Sequence, residues 1–98
     1  MHQFEGKGEA AENLTYVEYL ELKNYTKLPN IPKHADSISY SYYLFDDFLG
    51  DYAFGLHYVV PKEIKIDTFS FKNGSFTKTK TVSIINNLKY VSYSENKN

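Results

Sequence analysis

The residues best placed to do chemistry are three aspartates in one short turn. Asp46, Asp47 and Asp51 fall within six residues, with Gly50 between them. Hard cations such as calcium favour oxygen clusters of this kind. The spacing is not that of an EF-hand loop, and no glutamate follows at the offset such a loop needs. The ordinary alternative is a solvated turn whose aspartates cap backbone amides. A neutral imidazole near these carboxylates would make a metal or general acid–base site. His2 lies in the polar start, His34 follows a proline loop, and His57 is mid-strand. No histidine pair stands at i,i+2 or i,i+4 spacing, so nothing local gathers them.

Other reaction machinery leaves no trace. There is no Gly-x-Ser-x-Gly elbow, no glycine-rich phosphate loop and no His-Glu-x-x-His. There is no cysteine, which removes thiolate zinc sites, disulfides and a cysteine nucleophile. The sequence therefore assigns no catalytic, cofactor-binding or metal residue, and no cofactor is expected. Tyr43, Asp46, Asp47, Asp51 and His57 form an exploratory binding surface. Asn13, Asn24 and Asn73 each open an Asn-x-Ser/Thr sequon, which matters only in a eukaryotic secretory context.

Tyrosine is the other conspicuous resource. Ten tyrosines and seven phenylalanines offer rigid contact area, and the tyrosines add a polar tip. Tyr40, Tyr42, Tyr52 and Tyr58 fall on apolar strand faces and read as core. Tyr19, Tyr25, Tyr43 and Tyr93 read as exposed.

Charge narrows the partners. The 11 basic residues are all lysine, against 12 acidic ones, for a net charge of −1. Arginine supplies the bidentate fork for phosphate and guanine. Its absence argues against a nucleic-acid partner. The bias toward lysine, asparagine, isoleucine and tyrosine suits an AT-rich coding sequence and a bacterial source. No apolar run approaches the ~20 residues of a membrane span, so no transmembrane segment is expected. The polar start lacks the apolar core of a signal peptide. Two localisations follow: cytoplasmic as written, or envelope or extracellular if a leader was removed.

The elements that must position these side chains come from the apolar pattern. Residues 1–13 are polar and read as a poorly ordered segment. A helix over about 10–23 is preferred to a strand over 14–22, because apolar residues spread round the wheel but Ala10, Ala11 and Glu12 favour a helical start. Leu28 and Ile31 pin the loop held by Pro29 and Pro32. Ile38, Tyr40, Tyr42 and Leu44 alternate with serines in a strand over 37–45. A second strand covers 52–60, with Tyr52, Phe54, Leu56, Tyr58 and Val60 on one face and His57 on the other. A third covers 64–72, with a bulge near Asp67-Thr68 where the apolar phase changes. Asn73-Gly74 suits a type I′ hairpin that pairs Lys72 with Ser75 and Phe71 with Phe76. A fourth strand covers 75–85, Asn86-Asn87 turns, a fifth covers 88–94, and 95–98 is a polar tail.

The expected fold is α+β: one small domain over 14–94, dominated by an antiparallel β-meander of about five strands with one N-terminal helix. An all-β fold is the alternative. The leading function is a non-enzymatic binding or protein-interaction module, as the mature domain of a secreted or envelope-anchored bacterial protein. The first alternative is a small cytosolic regulator or immunity-type protein acting by surface complementarity. The second is a small hydrolase or metal-dependent enzyme with no linear motif.

Overall fold

Alternating apolar and polar residues, with tight turns between them, drive most of this chain into strands. The computed structural model describes residues 7–23, 28–46 and 50–97. They form β1 (Lys7–Leu14), α1 (Tyr16–Lys23), β2 (Asp36–Asp46), β3 (Asp51–Pro61), β4 (Phe69–Asn73), β5 (Phe76–Ile85) and β6 (Leu88–Lys97). The result is one small domain dominated by an antiparallel sheet of six strands, with one short helix.

The strand order is β1-β2-β3-β6-β5-β4. The sheet is therefore not a simple meander. Two three-stranded meanders, β1-β2-β3 and β4-β5-β6, are joined by an unbroken ladder from Tyr52–Lys97 to Pro61–Leu88. After β3 the chain crosses to the far edge and works back inward. Three interstrand spacings are about 14 Å, and the seven residues 62–68 can span that with room to spare. The last strand takes the place beside β3 because its Val91 meets Tyr58 and its Tyr93 meets Leu56 in that register.

This crossing corrects the third strand. Residues 64–68 are not strand, and β4 begins at Phe69. Ile64 and Ile66 pack on the core from the connection itself. The Ile64 amide donates to the Pro61 carbonyl at 3.1 Å, and the Lys89 ammonium donates to the Ile64 carbonyl at 2.7 Å. The apolar phase changes near Asp67-Thr68 because a loop becomes a strand there, not because a strand bulges. Register shifts instead fall in β1 near Asn13 and in β2 near Ser37, both residues of positive φ, and again in β2 between Leu44 and Asp46.

The helix is shorter than the sequence suggests. Residues 7–13, from the polar opening segment, belong to β1, which pairs with β2 at the sheet edge. Helix-favouring Ala10 and Ala11 are held extended by Ser41 and Tyr40 opposite them, a tertiary override of propensity. The helix starts at a capping box: the Thr15 amide donates to Glu18 Oε1 at 2.8 Å, and the Glu18 amide donates to Thr15 Oγ1 at 3.2 Å. Its one buried residue is Tyr19, 0% exposed, where the sequence suggested an exposed ring. The Tyr19 hydroxyl donates to the Pro29 carbonyl at 2.6 Å. That bond fastens the proline loop over the sheet, and Leu28, Ile31 and Ala35 follow it into the core.

Both tight turns are built on positive φ. Asn86 and Asn87 have φ of 51° and 67°, which a type I′ turn requires of both central residues. At the other hairpin only Gly74 is positive, at 64°, and Asn73 pairs directly with Phe76. The central residues are thus Gly74 and Ser75, the pattern of a type II′ turn. Lys72 then opposes Thr77 and Phe71 opposes Lys78, each partner two residues further along β5 than expected because the turn has moved by one residue. Both strands move together, so every side chain keeps its face. Phe71 still meets Phe76 diagonally, with ring centroids 6.1 Å apart.

The two faces of the sheet differ in kind. One carries Ile38, Tyr40, Leu56, Tyr58, Val60 and Val91, and is covered by Tyr19, Leu28 and Ala35. The opposite face carries a row of Ala10, Ser41, Gly55, Ser94, Thr79 and Ser70, one residue from each strand.

Two stability experiments follow. Gly74→Val forces a β-branched residue to positive φ while meeting no atom within 4 Å of the new Cβ, so the cost is confined to the backbone. Denaturant melts should show a loss of about 1 kcal/mol or more; an unchanged midpoint would contradict the turn. Tyr19→Phe keeps the ring and removes the bond to Pro29, and should cost about 1 kcal/mol in the same assay.

Candidate functional site: the half-covered face of the sheet

Register decides which side chains meet. Across β2, β3, β6, β5 and β4, Tyr40, Leu56, Tyr93, Lys80 and Phe69 stand in one row. The next row holds Tyr42, Phe54, Glu95, Lys78 and Phe71, and the next Leu44, Tyr52, Lys97, Phe76 and Asn73. Helix, proline loop and crossing segment cover the opposite end of this face. These three rows are only partly covered, and Phe69 and Phe71 are exposed.

The rows are organised by ring contacts. Tyr93 is central: Phe54 lies 6.0 Å away at 65° and Phe69 lies 6.2 Å away at 70°. Such edge-to-face pairs each add about 1 kcal/mol beyond the area they bury. Tyr40 approaches Phe54 at 6.5 Å, and Tyr42 approaches Tyr52 at 6.0 Å.

One carboxylate sits among these rings. The Tyr52 hydroxyl donates to Glu95 Oε2 and the Tyr93 hydroxyl donates to Glu95 Oε1, each at 2.5 Å. Both oxygens of Glu95 are thus engaged by neutral donors, although Lys78 stands opposite it in the ladder. Burial, and then the bond to Glu95, push the Tyr52 phenol up to about 12. The same causes raise Tyr93 further. The Lys78 ammonium lies 5.8 Å from the centre of the Phe76 ring, a cation–π contact. Among the described residues, no carboxylate pairs with Lys80.

Lys78 and Lys80 border a cleft of about 170 Å³. Leu56 and Tyr58 form its floor, Pro29, Asn30 and Ile31 one wall, and Phe69 and Tyr93 the other. It is apolar below and cationic at the rim.

The residues singled out from sequence lie elsewhere. Tyr43 is half-buried on the opposite face, beside Ala53. His57 is exposed on that same face, in a row with Ser39, Ser92 and Thr81. Asp51 is half-buried and opposes Asp46 at the end of the β2–β3 ladder. Asp47, the side chain of Asp46, and Tyr25 lie outside the described residues. Six residues of strand separate Asp51 from His57, about 20 Å, so these two do not meet. Among the described residues, no three His, Asp or Glu side chains gather as a metal site. An open depression of about 400 Å³ does surround His57, lined by Ser37, Thr81, Ser83, Tyr90 and Ser92.

Sequence reasoning missed the site for two reasons. Glu95 reads as part of a polar tail, yet β6 runs on to Lys97. Tyr93 reads as exposed, yet it is half-buried among Phe54, Phe69 and Glu95. The one usable signal was Lys78 and Lys80 on an otherwise apolar strand face.

The tyrosine–glutamate cluster has a pH signature. Both phenols are neutral in the fold, with pKa raised above the ordinary value of about 10. Their contribution is complete below that value and is lost as pH rises through the folded pKa. Stability should therefore fall between pH 10 and about 12, the latter set by Tyr52. Replacing Glu95 by Gln should bring the Tyr52 phenolate absorbance in at lower pH; an unshifted titration would mean the hydrogen bond is not made. Compared with protein-family models, curated proteins and solved structures, the chain matches none of them.

Proposed function

We propose that this chain is a non-enzymatic binding module, and that its ligand carries an anionic group on an apolar body. The observation that supports this most is the cleft at Lys78 and Lys80. Its floor and walls favour an apolar or aromatic group, through burial at about 25 cal/mol per Å². Glu95, opposite Lys78 in the ladder, keeps its charge but is held in place by two tyrosine hydroxyls. Among the described residues, no carboxylate lines the cleft itself, so Lys78 and Lys80 give its rim a cationic character that an incoming carboxylate complements. A partly exposed ion pair adds about 1 kcal/mol or less, so the apolar contact supplies most of the affinity and the lysines supply selection by charge. A cleft this small takes a single side-chain-sized group, which fits either a small molecule or one anchoring residue of a partner protein.

The test uses 3-phenylpropionate and its neutral analogue 3-phenylpropanol, followed by backbone amide shifts. The acid should move the amides of Leu56, Tyr58, Phe69 and Tyr93, and the alcohol should bind several-fold more weakly. Lys80→Glu should remove the preference for the acid while leaving the melting temperature nearly unchanged. Equal binding of both compounds, or shifts confined to the opposite face around His57, would refute the assignment.

A further inference from the structure

The sheet has an edge that its own chain leaves half filled. β5 is ten residues long, but β4 pairs only with its first half, from Phe76 to Lys80. Residues 81–85 pair with β6 on one side and with no described strand on the other. The 62–68 connection does not cover this edge. It packs Ile64 and Ile66 on the sheet face, and its backbone bonds run to Pro61 and Asn87. At the step where β4 begins, an open depression of about 490 Å³ lies between Phe69 and Val82.

This edge lacks the usual protection. Native edge strands are blunted by lysine, proline, a bulge or a covering loop. Between Lys80 and Lys89 the chain has no charged residue and no proline. Ile84 is 64% exposed and Ile85 is 53% exposed, with Leu88 and Tyr90 exposed nearby. Unpaired backbone groups specify an extended strand as the occupant, and the apolar side chains specify an uncharged one.

We propose that the occupant is a second copy of this chain, its β5 lying antiparallel to the first about a two-fold axis at Ile84. That register sets Ile84 against its own equivalent and Ser83 against Ile85. It brings no like charges together. It also keeps each Asn86-Asn87 turn clear of the other copy's β4, which a register centred on Ser83 would not, because the turn would then meet Phe69. A two-fold contact uses the same edge on both chains and closes at two copies. The interface is at the small end of specific contacts, so the dimer is weak and concentration-dependent.

Sedimentation velocity on the intact chain over a wide concentration range tests this. The average mass should rise toward twice the monomer value. Ile84→Lys places like charges opposite each other and should weaken self-association at least about tenfold. Ile85→Lys should act in the same direction. Phe71→Lys, on β4, should leave self-association as in the parent chain. All three sites are exposed, and circular dichroism melts confirm that each variant is folded. A parent chain that stays monomeric at every concentration overturns the proposal, as would be expected if a foreign strand fills the edge. So does a dimer that both isoleucine variants leave intact, or assembly that continues past two copies.

Discussion

The ladder between β3 and β6 is the constraint on which the rest of this molecule depends. It joins two meanders that otherwise share only the crossing segment, and it is continuous over the whole length of both strands. It sets Tyr58 beside Val91 and Leu56 beside Tyr93, so the core and the aromatic rows are consequences of one register. It also brings Glu95 beneath the Tyr52 hydroxyl, two residues far apart in sequence. A slip of one residue would turn every one of these side chains to the other face.

The second organising fact is that only one face of the sheet is covered, and only in part. A helix of two turns cannot shield six strands. Tyr19 compensates by acting at a distance: its ring fills the core and its hydroxyl holds the proline loop down over the sheet. Where that cover stops, rings packed edge to face and a carboxylate bonded to two phenols take over. The tyrosines and Glu95 tolerate partial hydration better than leucine or valine would, since each has a polar atom, while Phe54 and Phe69 add ring area alone. Across its middle the opposite face carries serine, threonine, alanine and glycine, which expose little apolar area, while Ile85, Leu88 and Tyr90 stand exposed at one end of it. No described helix is long and apolar enough to cross a membrane.

How much of this was legible in the sequence depends on the range of the interaction. The alternations of β2, β3 and β5 are local, and Ile38, Tyr40, Leu56, Tyr58 and Val60 were placed correctly on the core face. The turn at Asn86-Asn87 was equally plain. The capping box at Thr15 and Glu18 was present, but the alanines before it extended the helix into what is β1, whose extended form is imposed by β2. Strand order was not legible, because nothing local to 88–97 says that it pairs with β3 and not only with β5. The candidate site failed for the same reason. The acidic turn and His57 drew notice as residue types, whereas the cleft is assembled by pairing across five strands.

The placement of β6 has a consequence for how the chain is made. The last of the described strands in chain order is interior to the sheet, between β3 and β5. While it is still in the ribosomal tunnel, β1, β2 and β3 are outside with one side of β3 bare. The second side of β3 therefore cannot be paired until residues 88–97 have emerged, and until then Leu56, Tyr58 and Val60 lie on a strand with one open side. That interval is when chaperone capture would matter most, and it is fixed by topology, not by the stability of the finished sheet.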